Sequence, residues 1–227
     1  MTNILLALAF LAVIVNEVAE FTNRRRLVYV AKPAVMVFLF AWLAATAGLS
    51  GPPLFFGLGI LFSLGGDVFL MLPDEKKWFL PGLVSFLLAH VFYILGLNYV
   101  IPSLNVFGIF LAISIAIFVA QIYRRIAAGL HASAQDKLRV PVLIYSIVIS
   151  LMWLSALQTL FQTSWHPTTA LAVSVGATLF VASDIILAWN RFVNPIKNGR
   201  LINLITYHLG QILLIIGAGI QFFRIGL

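Results

Sequence analysis

Asp67 and Asp184 each stand near the end of a long apolar run, in the strings Gly66-Asp67-Val68-Phe69-Leu70 and Ser183-Asp184-Ile185-Ile186-Leu187. Similar runs contain Glu17, Lys32, His90, Tyr145, Tyr207, His208 and Gln211. Carboxyl, imidazole and phenol groups of this kind suit proton transfer and the orientation of a polar substrate. An ionisable group inside a membrane span costs at least about 2.5–3.5 kcal/mol on insertion scales, which makes each a functional candidate. Plainer readings stand beside that one. Lys32 is long enough to snorkel to an interface, Glu17 could be its structural partner, and a lone His90 or His208 could be an ordinary bundle histidine. The short aspartate side chain cannot snorkel in this way, so Asp67 and Asp184 are the strongest candidates.

The elements that must position these groups follow from composition. Of 227 residues, 62% are apolar and 9% charged, and the mean hydropathy is +1.07. A soluble domain carries roughly 25% charged residues. No soluble core of this length hides so much apolar surface, so lipid must cover the excess. The net charge of +7 is confined to short gaps between apolar runs, which argues against a nucleic-acid groove. The absence of cysteine rules out disulfides and thiolate metal sites. The opening MTNILLALAFLAVIV lacks the basic start of a signal peptide and leads into Asn16-Glu17, so it is expected to be a permanent span.

Eight segments have the length and apolarity of a transmembrane helix: about 4–22, 28–49, 54–72, 78–99, 102–123, 139–161, 168–189 and 201–223. The fold expected is all-α, a single bundle of eight transmembrane helices over residues 1–227. Thirteen of the fourteen Lys and Arg lie in or beside the loops after spans one, three, five and seven, with Arg224 the exception. Even loops, such as Ile101-Pro102-Ser103, hold none. By the positive-inside rule the odd loops are cytoplasmic and both termini lie outside. At 1.5 Å per residue, Glu17, Lys32, Asp67, Asp184 and His208 fall roughly 9–11 Å below that cytoplasmic boundary, with Gln211 nearer ~15 Å and His90 nearer ~18 Å. His131 and His166 sit in loops on opposite sides, so the four histidines cannot gather into a zinc site. Trp42, Trp78, Trp153, Trp165 and Trp189 mostly fall near span ends, as interfacial anchors do. Gly57, Gly59, Gly65 and Gly66 fit close helix packing.

The two halves echo one another. Besides the aspartate strings, His90 through Gly96 parallels Gln211 through Gly217, and Arg24–Arg26 followed by Lys32-Pro33 parallels Arg124-Arg125 followed by Arg139-Val140-Pro141. Four spans per half imply a parallel 4+4 repeat, with halves 1–100 and 101–227. Asp67 and Asp184 would then be equivalent and face one cavity from opposite sides.

Several strings resemble the YhhN family of lysoplasmalogenases. They are Gly66-Asp67-Val-Phe-Leu-Met-Leu, Phe79-Leu-Pro-Gly82 through His90-Val-Phe-Tyr93, Gly176-Ala-Thr-Leu-Phe180 through Ser183-Asp184, and Tyr207-His-Leu-Gly-Gln211, with Lys32-Pro33 opening span two. The resemblance is ordered across spans two, three, four, seven and eight. It implies an ether hydrolase that cleaves the vinyl ether of lysoplasmalogens, giving a fatty aldehyde and a glycerophospho-base. A vinyl ether must first be protonated on carbon, after which water adds and the hemiacetal collapses. Two carboxyl groups can divide those tasks, as they do in glycoside hydrolysis. On this reading Asp67 and Asp184 are catalytic. Lys32, His90, Tyr145, Ser183, Tyr207, His208, Gln211 and Glu17 bind or orient the lysophospholipid. No metal and no organic cofactor is required. The partners expected are membrane lipids and no nucleic acid, and the location is a bacterial cytoplasmic membrane. The alternatives are a small lipid or solute transporter and an intramembrane hydrolase of another lipid.

Overall fold

A computed structural model describes residues 2–100 and 106–225. The chain forms α1 (Thr2–Phe21), α2 (Arg25–Ala47), α3 (Pro52–Met71), α4 (Glu75–Leu97), α5 (Val106–Ala132), α6 (Arg139–Gln158), α7 (Pro167–Phe192) and α8 (Gly199–Ile225). All eight are long and apolar enough to cross a membrane, and no strand occurs among the described residues. The protein is an all-α bundle of eight transmembrane helices. The Ile101-Pro102-Ser103 turn and the first residues of the fifth expected span lie outside the described residues.

Local chemistry sets the helix ends. Pro52 and Pro167 occupy first-turn positions, where a missing N–H costs nothing. The Asp74 carboxylate accepts from the Lys77 backbone N–H and caps α4. Gly48, at φ +75°, closes α2 in a conformation that suits glycine. One helix departs from expectation. α5 runs on past Arg124 and Arg125 to Ala132, because Ile126, Ala127 and Leu130 are buried. Ile126 and Leu130 pack in one cluster with Phe79 and Phe192, and the arginines stay on the exposed side of the same turns.

Consecutive helices pair as tight hairpins in α1–α2, α3–α4 and α7–α8, while α5 lies more loosely on α6. Across the bundle α2 packs on α8, and α4 packs on α6. Glycines bring the partners close. A Cβ on Gly176 or Gly210 would strike the backbone of the facing helix, and one on Gly59 or Gly66 would strike the ring of Tyr93 or Phe86. The tight α7–α8 contact therefore depends on the bare backbone at Gly176 and Gly210. Trp42 and Trp165 are buried rather than interfacial; the Trp42 ring lies over Gly219, and that of Trp165 packs edge-on against Phe222.

Candidate active site

The two aspartates sit in mirrored surroundings. Asp67, on α3, is 1% exposed; its Oδ1 lies 2.8 Å from the Lys32 Nζ of α2. Its Oδ2 accepts a 2.7 Å hydrogen bond from the Tyr207 hydroxyl of α8. Asp184, on α7, is 17% exposed and has Oδ2 3.6 Å from His90 Nε2 of α4. The same oxygen accepts a hydrogen bond from the Tyr145 hydroxyl of α6. Each carboxyl is thus held by the second helix of its own half of the chain and the last helix of the other. Tyr145 donates its single proton to Asp184, so the 3.0 Å contact between its oxygen and His90 Nε2 places the imidazole proton on Nε2. The Ser183 hydroxyl donates to the Phe180 carbonyl at 2.7 Å and lies 3.3 Å from Asp184 Oδ1.

Helical geometry explains which predicted residues meet. Lys32 sits one residue before Pro33, within the buried face of α2 formed by Val28, Val35 and Met36. Tyr145 lies on the buried α6 stripe of Val142, Ile149 and Met152. On α8, Tyr207 and Gln211 are four apart and share a face. His208, one position on, turns away. Its Nδ1 pairs at 2.7 Å with Glu17 Oε1 of α1, and this pair is not part of the wall around the aspartates. Gln211 lies deeper, accepting from the Tyr93 hydroxyl and donating to Ser63 Oγ, both at 2.8 Å. Its network braces α3, α4 and α8.

Both aspartates line one cleft of about 1350 Å³, its open mouth included, at the end of the bundle that carries the basic loops. Lys32, Asn190, Arg191, Arg200, Asn203 and Tyr207 line it too. Arg200 Nε is bridged to Glu20 Oε1 at 2.6 Å, the Arg191 guanidinium stacks over the Phe79 ring at 4.3 Å, and Asn203 donates to the Ser183 carbonyl. These cleft residues were missed by sequence reasoning, which took the charges as loop residues. The signal was spacing: Arg200, Asn203 and Tyr207 recur at three and four, and Asp184 and Arg191 are seven apart, so each set shares a helix face.

An apolar crevice of about 790 Å³, its open side included, adjoins the cleft between α4, α5, α6 and α7. Phe79, Phe86 and Asp184 belong to both spaces. Asp184 is the only charged side chain of the crevice among the described residues. No group of three or more His, Cys, Asp or Glu able to hold a metal ion occurs among the described residues.

Fold and site define an intramembrane protein with one buried and one part-buried carboxyl where a polar cleft meets an apolar crevice. The sequence profile of the YhhN family matches residues 27–218, and the chain belongs to that family. It is 29% identical over 190 residues to mouse (Mus musculus) lysoplasmalogenase TMEM86B, covering 82% of this chain and 72% of that one. It is 29% identical over 164 residues to human (Homo sapiens) lysoplasmalogenase TMEM86A, covering 71% and 63%. With a lysoplasmalogenase of Mycobacterium tuberculosis the identity is 30% over 143 residues, covering 59% and 48%. The matched region therefore spans between about half and three quarters of these relatives. No solved structure matches the chain.

Proposed function

We propose that the chain is a lysoplasmalogenase-like hydrolase, taking one vinyl ether lysophospholipid and one water to a fatty aldehyde and a glycerophospho-base. The single observation that carries this reading is the pair of aspartates, one buried and one part-buried, lining one cleft, in a chain whose relatives are named lysoplasmalogenase.

The two carboxyls differ in their partners, and the difference supports a division of tasks. Asp67 is ion-paired with Lys32 and accepts from Tyr207, so it serves as the carboxylate that activates water. Asp184 has no lysine or arginine salt-bridge partner among the described residues and ends the His90–Tyr145–Asp184 chain, so it carries the proton. Proton transfer from Asp184 to the alkenyl carbon distal to the ether oxygen leaves an oxocarbenium ion. Asp67 draws a proton from water as its oxygen bonds to the cationic carbon, and a hemiacetal forms. Collapse of the hemiacetal passes the proton held by Asp67 to the glycerol oxygen, and the hemiacetal hydroxyl gives up its own proton as the aldehyde leaves. Tyr145 and His90 relay that hydroxyl proton back to Asp184, which restores both carboxyls. The basic and amide side chains of the cleft face the head group, and the Gln211 network holds α3, α4 and α8 in register.

The mirrored surroundings of the aspartates, with α2 on α8 and α6 on α4, also support reading the chain as two parallel halves, 1–100 and 101–227. The test of the chemistry is isotopic. In D₂O, aldehyde released from lysoplasmenyl-ethanolamine and trapped at once by reduction should carry one solvent deuterium on the carbon next to the carbonyl. Aldehyde without that deuterium would exclude protonation on carbon, and no aldehyde at all would exclude the activity.

A further inference from the structure

We propose that the apolar crevice is the binding site for the single long hydrocarbon chain of the substrate, and that the chain slides in sideways from the bilayer between α4 and α5. This rests on the reading of Asp184 as the residue that meets the reacting bond. Leu83 of α4, Val119 and Ile122 of α5, Ile149 of α6 and Val181 of α7 wall the crevice, and its polar lining is limited to Tyr145, Ser146 and Asp184. A sugar or peptide placed there would lose its hydrogen bonds to water without replacement, whereas an aliphatic chain loses none. The crevice joins the polar cleft at Asp184 and Phe86, so a head-to-tail amphiphile lying along both spaces puts its head–tail junction beside that carboxyl. The vinyl ether is that junction.

The way in follows from the packing. Every other pair of consecutive helices packs together, but the backbones of α4 and α5 scarcely approach one another among the described residues, and the two helices share only a side-chain cluster around Phe79 and Ile126. Towards the basic loops the crevice is walled by the buried cluster of Phe79, Ile126, Leu130, Val142 and Phe192, where Phe79 and Phe192 meet edge-on at 5.6 Å. The outer face of α5 is apolar and exposed, with Phe110, Ile113 and Ile117 pointing away from the bundle. Apolar along its length and slack between the α4 and α5 backbones, the crevice takes its chain from lipid, while its junction with the cleft leaves the head group in the polar space.

A lysophosphoethanolamine with a diazirine at the end of its chain tests this on purified protein in nanodiscs. Photolabelling should concentrate on crevice residues of α4, α5 and α6, and excess unlabelled lysolipid should compete it away. Ile122→Trp, which fills the crevice, should reduce competable labelling at least fivefold, while Ile113→Trp on the lipid face of α5 leaves it unchanged. Competable labelling that ignores Ile122→Trp, or labelling spread evenly over lipid-facing helices without competition, would overturn the proposal. Labelling as expected from a protein that releases no aldehyde would keep the chain site and overturn the hydrolase reading instead.

Discussion

At the scale of single residues, the informative contrast is between Asp67, sealed against Lys32, and Asp184, part-exposed beside Tyr145 and His90. Breaking a buried ion pair by removing one partner costs about 3–5 kcal/mol, because the other charge is left uncompensated. Lys32→Met should therefore lower stability by that order in a denaturation series. Adding Asp67→Asn to it should restore most of the loss without restoring activity. A Lys32→Met variant as stable as the parent would show that the pair is not held in the folded protein. Tyr145→Phe keeps the ring and removes the proton path, so kcat should fall by roughly tenfold or more with KM little changed; an unchanged kcat would remove Tyr145 from the proton path. Much of this was legible in the sequence, since a charge in an apolar run is conspicuous. The partners were not. Glu17 and Lys32 suggested an ion pair at similar depth, yet Lys32 pairs with Asp67 and Glu17 with His208, because depth along a span says nothing about which way its face points.

At the scale of helices, the site stands on close approach. Gly176 and Gly210 allow α7 and α8 to meet backbone to backbone, and this contact sets Asp184 and Tyr207 on adjoining walls of the cleft. Gly176→Val should destabilise the protein by about 1–3 kcal/mol or more through overpacking, seen as a lower melting temperature in detergent, whereas Ala128→Val on the exposed side of α5 should be nearly neutral. Equal melting temperatures for the two variants would contradict the packing described. Helix number and the charge bias of the loops could be read directly from composition, because a membrane span demands a length and an apolarity that little else in a chain shows. The continuation of α5 past Arg124 could not, since it depends on the distant Phe79 and Phe192. The apolar crevice was hidden for the same reason: its lining residues look like any lipid-facing valine or isoleucine until the helices are assembled.

At the scale of the whole molecule, the basic loops and the cleft share one end of the bundle, and we infer that this end faces the cytoplasm. The cysteine-free chain lends itself to a direct check. Lys197→Cys in the α7–α8 loop should resist a membrane-impermeant thiol reagent in intact cells, and Ser50→Cys in the α2–α3 loop should react; the reverse pattern would invert the topology. The central claim is that two carboxyls from the two halves act together on one bond, and aldehyde release from lysoplasmenyl-ethanolamine by purified Asp67→Asn and Asp184→Asn variants tests it most directly. With folding verified by an unchanged elution profile and helical spectrum, each variant should lose at least about 10²-fold in rate. Either variant turning over at the parent's rate would contradict the account.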